Sequence, residues 1–273
     1  MKKKIVFAVF AAAAVLAVIL RLYQMLALTE YETGFIEREN YSLYIVLAAI
    51  IALLVLGAPT FALMSAPTPK KSQSYNIVLS LSEILLAGAS LLDALFVYSS
   101  ENDVPQFLKI ACLALGALCA AYFAAAGVRS VVYFPFSSKL AAIPPAFFTV
   151  RAACVFISCS RHAVVSDTVF EVFIYCACML LFLEIARAAN GAGGKLSIRK
   201  ITFFGLAAAL LSFGFSLPKV ALGMFYSSAL HDSARGAVLT LALGLYSAAL
   251  VFSRLNFSGK SERMLGVYYQ GRH

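Results

Sequence analysis

Apolar and polar positions fall in long blocks along this chain. Eight apolar runs, near residues 5–28, 43–63, 77–99, 107–127, 140–160, 168–188, 201–217 and 235–253, are separated by short polar segments. Each approaches the roughly 20 residues that an α-helix needs to cross a hydrocarbon layer about 30 Å thick. None shows the every-other-residue alternation of a barrel strand. Lipid offers the backbone no hydrogen-bond partners, so a helix is the one open-chain solution. The pattern predicts an all-α, polytopic transmembrane helical bundle of about eight spans, a single integral membrane domain over 1–273. The longest polar pieces, such as "TEYETGFIERENYS" and "RAANGAGGKLSIRK", are too short to build a core of their own. Any site must therefore lie between helices or at the membrane surface. The glycines of "NGAGGK" do not match the phosphate-loop spacing and follow no strand, so they read as a flexible turn.

Composition supports this picture. The chain is 62% hydrophobic and 13% charged, with mean hydropathy +0.88, against about half and a quarter for a soluble domain. The net charge of +9 would point to nucleic acid in a soluble protein; here its distribution between segments matters more. With a cytoplasmic N-terminus, 15 of the 22 Lys and Arg residues fall in cytoplasmic segments. Lys70, Lys71, Arg199 and Lys200 are among them. Acids gather on the other side, at Glu30, Glu32, Glu37, Glu39, Glu101, Asp103, Asp167 and Asp232. This bias places the N-terminus and C-terminus in the cytoplasm. The partner implied is the lipid bilayer, not nucleic acid. The first run has the basic start of a signal peptide but continues into "RLYQMLAL" without a small-x-small cleavage site, so it reads as an uncleaved span.

Little of the chain resembles catalytic or metal chemistry. Cys112, Cys119, Cys154, Cys159, Cys176 and Cys178 all fall within spans and form no C-x-x-C, so neither a disulfide framework nor a zinc site is expected. His162 and His231 lie near outer helix ends, without a nucleophile or an H-E-x-x-H motif beside them. The outer-loop glutamates lack the spacing of a hard-cation loop. No cofactor, metal or catalytic residue is expected. Gly116, Ala120 and Ala124, and again Thr240, Gly244 and Ala248, recur every fourth residue, the spacing that lets helices approach closely.

The informative residues are ionisable groups at depth. Each costs about 2.5–3.5 kcal/mol at the centre of a span on insertion scales, so such groups face protein or water. Arg151 lies within one residue of the centre of its span. Asp93, about 7 Å from the centre of the third span at 1.5 Å per residue, is its first-ranked partner by depth. Glu83 and Glu171 follow. Arg151, Asp93, Glu83 and Glu171 thus form the candidate intramembrane polar site. Glu184, one turn from Arg187, reads as an interfacial pair, and Arg21 as a side chain reaching out to the outer acids. Pro144 and Pro145, two turns before Arg151, are the candidate helix break.

The segment "RLYQMLALTEYETGFIEREN", with Thr33, Gly34 and Phe35 after an acidic stretch, resembles uncharacterised multi-pass membrane proteins of clostridia and related bacteria. The resemblance implies a bacterial cytoplasmic membrane protein and no reaction. The function expected from the residues is that of a transporter or permease-like protein with a polar intramembrane site. The alternative is a non-catalytic membrane subunit or scaffold, assembling with a membrane-protein partner or as a homo-oligomer.

Overall fold

A computed structural model describes residues 2–27, 68–69, 77–100, 104–129, 138–161, 166–192, 195–225 and 231–256. The described residues form seven α-helices: α1 (Lys2–Ala27), α2 (Ile77–Ser99), α3 (Gln106–Arg129), α4 (Ile143–Arg161), α5 (Ser166–Ala189), α6 (Lys195–Phe225) and α7 (His231–Arg254). A 3₁₀ turn over Ser138–Ala142 leads into α4. The expected span at 43–63 lies outside the described residues, as do Thr33, Gly34, Phe35 and His162.

Five helical stretches are long and apolar enough to cross a membrane, as an integral membrane protein requires: Ile77–Ser99, Gln106–Arg129, Lys139–Ser158, Thr168–Ala189 and Arg199–Leu222. Phe7–Tyr23 and Gly236–Phe252 are shorter apolar helices. The outward face of α2 carries Ile77, Val78, Leu81, Ile84, Leu92 and Leu95, all substantially exposed, which suits a hydrocarbon solvent.

Helices α2 to α7 close into a ring. Each packs on the next in sequence, and α7 returns to α2. Short connections make neighbours antiparallel, and α1 lies outside the ring along α6. The tightest seams are built on glycine. A Cβ on Gly116 of α3 would overlap Ala94 of α2, and one on Gly127 would come within 2.8 Å of Ile84. On α7, a Cβ on Gly244 would meet Ser212 of α6 at 3.0 Å, and Gly205 of α6 faces Val251 at 2.7 Å. Removing the side chain lets backbones approach, as membrane helix interfaces use it. The α5–α6 connection turns at Gly191, whose φ of 77° suits glycine. There Ala192 N–H donates to Arg187 O at 3.0 Å, closing the helix end.

Phe7 and Phe10 of α1 pack edge-on against Phe252 of α7, each at 5.3 Å. Thr68 and Pro69 pair antiparallel with Asn256 and Leu255. The start of α1, the segment before α2 and the end of α7 therefore share one end of the bundle, called here the near end. The opposite end is the far end.

A buried ion pair above an aromatic layer

Four helices send rings into the middle of the ring of helices. Phe123 (α3) lies 5.4 Å from Phe182 (α5) and 5.5 Å from Tyr246 (α7). Phe182 stacks on Phe148 (α4) at 5.3 Å and on Tyr246 at 5.5 Å. Phe123, Phe148 and Phe182 are at most 2% exposed and Tyr246 is 5% exposed. Ring pairs at these separations contribute about 0.5–1.5 kcal/mol each beyond their burial. The layer closes the near half of the interior.

One turn further along α4 stands Arg151. Its Nε donates to Asp93 Oδ2 at 2.6 Å and its Nη2 to Asp93 Oδ1 at 3.1 Å, the two-pronged geometry of a guanidinium on a carboxylate. The side chains are 11% and 6% exposed. The pair joins α4 to α2, two helices that are not consecutive in the ring. The guanidinium also sits 5.1 Å from the ring centroid of Tyr175 on α5. Tyr175 is fully buried, and its hydroxyl has no hydrogen-bond partner among the described residues. Leaving such a group unsatisfied costs about 1–3 kcal/mol. The pair therefore has a polar atom beside it that the described chain does not use.

The remaining members of the predicted site are distributed. Glu83 is buried, 3% exposed, with its Cβ facing Gly127 of α3 on the near half of α2. Glu171 lies one turn farther out than Tyr175 on α5. Its Oε1 stands 3.0 Å from where a Cβ on Gly236 would be. Pro144 and Pro145 occupy the first turn of α4, where 3₁₀ geometry passes to α; a proline there removes no intrahelical donor. Thr149 Oγ1 donates to Pro145 O at 2.7 Å. Pro218 lies in the interior of α6, which leaves the carbonyl of Gly214 without its usual donor. Glu184 accepts from Arg187 at 3.0 Å and from Ser197 Oγ at 3.2 Å, with Lys200 Nζ at 3.5 Å.

Two cations prove to be interior: Arg21, expected to reach out to the outer acids, and Lys219, which sequence reasoning left aside. Arg21 and Lys219 are each 2% exposed. The Arg21 guanidinium lies 4.6 Å from the Phe170 ring and the Lys219 ammonium 4.1 Å from the Phe215 ring. The two ring centroids are 6.5 Å apart. The signal for Lys219 was the apolar run "VALGMF" after it, which continues α6 past the expected end at 217. Among the described residues no group of three His, Cys, Asp or Glu converges to hold a metal. Comparison of the chain with protein-family models, curated proteins and solved structures gives no match.

Proposed function

We propose that this chain is a permease-like protein of a bacterial cytoplasmic membrane, spanning it eight times with both termini on the cytoplasmic side, the near end of the bundle. A polar solute passes through the ring interior, and the Arg151–Asp93 pair with Tyr175 is the polar station at mid-depth. The observation that carries this reading is the fully buried Tyr175 hydroxyl, without a partner among the described residues, beside a buried ion pair. A solute oxygen or its hydration water satisfies that hydroxyl. The aromatic layer below acts as the closed near-side gate. The cytoplasmic orientation is supported by the basic bias of the near-side segments, and the bacterial membrane by the resemblance around Thr33, Gly34 and Phe35.

The subunit reading needs a small-residue face open to a partner. Gly116, the first residue of one small-residue row, and Gly244, the centre of the other, instead lie against Ala94 and Ser212 within the chain. That favours the permease. The test is solute uptake into proteoliposomes, with a panel of small anions, cations and neutral polar solutes. The proposal expects saturable uptake of one class by the wild type and its loss in folded Asp93→Asn and Arg151→Gln variants. Absence of saturable uptake for every class refutes it.

A further inference from the structure

Among the buried groups that the polar station does not use, two thiols meet across a helix seam. Cys112 of α3 and Cys154 of α4 hydrogen-bond to each other and are at most 1% exposed. No C-x-x-C joins them in the sequence; the fold does. The packing places them together independently of that bond. A Cβ on Gly116 of α3 would stand 3.2 Å from the Phe147 ring of α4, so these two positions face each other. Cys112 lies one turn before Gly116 on the same face of α3, and Cys154 two turns after Phe147 on the same face of α4. In an antiparallel pair both steps lead towards the far end. Cys119 of α3 is equally buried but has no thiol partner among the described residues.

The surroundings bear on reactivity. Arg151 stands one turn from Cys154 on α4, and its guanidinium acts on both sulfurs more strongly than the Asp93 carboxylate does. Thiol oxidation proceeds through the thiolate, which in an apolar interior needs a neighbouring cation. The Arg151 side chain is also 11% exposed, so a molecule of water's size reaches the edge of the cluster. We propose that Cys112 and Cys154 are a modification site, a dithiol that a small neutral peroxide oxidises to a disulfide joining α3 to α4. Reactant and product are both uncharged, as an apolar interior favours. The Cys154 thiolate attacks one oxygen of hydrogen peroxide; the O–O bond breaks, hydroxide leaves with the electron pair, and a sulfenic acid forms. The Cys112 sulfur then displaces the hydroxyl from the Cys154 sulfur, forming the S–S bond. The two thiol protons turn both leaving hydroxides into water. Two thiols thus lose two electrons, and one peroxide gains them. In the proposed threading the far end faces away from the cytoplasm, the side on which disulfides persist. The bond's formation does not rest on the permease reading.

The test is peroxide oxidation of the purified full chain in lipid nanodiscs. Remaining thiols are then alkylated in SDS, and the chain is mapped by non-reducing peptide mass spectrometry. Two of the six cysteines should be consumed in one linkage, Cys112 to Cys154, and returned as thiols by dithiothreitol. The linkage should form at least about tenfold faster than Cys119 is oxidised in the same sample, and faster by a similar factor than in the SDS-unfolded chain. Cys112→Ser and Cys154→Ser should each abolish it. A linkage to any other cysteine overturns the inference. So does oxidation of Cys112 and Cys154 no faster than that of Cys119, or no linkage at all; the thiol contact is then packing only. The wild-type map decides by itself if the serine variants do not fold. Linkage without saturable uptake of any solute refutes the permease and leaves this inference; uptake without linkage does the reverse.

Discussion

Neutralising Asp93 tests whether the pair it forms with Arg151 is a structural clasp or a working station. In Asp93→Asn the shape is kept, and the Arg151 guanidinium, with its side chain 11% exposed, loses its counter-charge. Two unit charges about 4 Å apart attract by about 4 kcal/mol at an effective dielectric near 20. Breaking a buried pair by removing one partner costs about 3–5 kcal/mol, because the remaining charge stays buried. The single variants Asp93→Asn and Arg151→Gln are therefore each expected to lose about 3–5 kcal/mol. The combined variant should lose less than their sum by about 2–3 kcal/mol, the upper part of the range for contacting residues. Reversible unfolding in mixed micelles by SDS titration measures all four corners of the cycle. A third arm separates the roles. Asp93→Leu with Arg151→Met fills the space with apolar groups and is expected to unfold within about 1 kcal/mol of the wild type, yet to transport nothing. Additive single losses, with no coupling, refute the ion-pair argument. A fully active apolar double variant refutes the station and leaves the clasp.

Three more predictions follow from the packing and the threading. Gly116→Ala puts a methyl into Ala94 and should destabilise the α2–α3 seam by about 1–3 kcal/mol, whereas Gly88→Ala meets nothing within 4 Å and should be neutral or stabilising by up to about 1 kcal/mol; the same SDS titration reads both. Phe182→Ala removes the ring shared by Phe123, Phe148 and Tyr246 and should cost about 3–5 kcal/mol, with faster passive solute leak through proteoliposomes; an unchanged leak denies the layer a gating role. In the eight-span threading, cysteines placed at Lys70 and Arg199 are shielded from an impermeant maleimide added outside cells, and external labelling of both inverts the orientation.

The sequence was most legible where one physical constraint acted alone. The apolar runs mark helices because lipid leaves the backbone no other solution, and the run at 77–99 has the same bounds as α2. Depth counting ranks Asp93 first for Arg151, since two charges at one level in a bundle have reason to meet, and the structure joins them. Depth carries no information about which helices are neighbours. Nothing in the residues shows the ring closing from α7 back to α2, which packs α2 between α3 and α7 and leaves Glu83 facing Gly127 in place of Arg151. Boundaries misled where charge or proline interrupted an apolar run. Reading the seventh span as ending at 217 treated Pro218 and Lys219 as loop, though α6 continues to Phe225 and buries both. Pro144 and Pro145 lie inside the span Lys139–Ser158, just after its 3₁₀ turn passes to α4, in a first α-turn where the missing donors are not needed.

The same reasoning explains why Arg21 and Lys219 were hidden while Arg151 was conspicuous. A cation in the middle of an apolar run has no route to water and announces itself. A cation within two turns of a helix end has such a route by composition alone, and its long stem allows it to reach out. Whether it does depends on what stands between it and the surface, and that is a property of neighbouring helices. Here the Phe170 and Phe215 rings lie beneath the two charges, and each side chain is covered to 2% exposure. A sequence rule for membrane cations that counts only depth will therefore undercount interior charge near helix ends. In this chain the undercount, Arg21 and Lys219, falls wholly on one side of the aromatic layer.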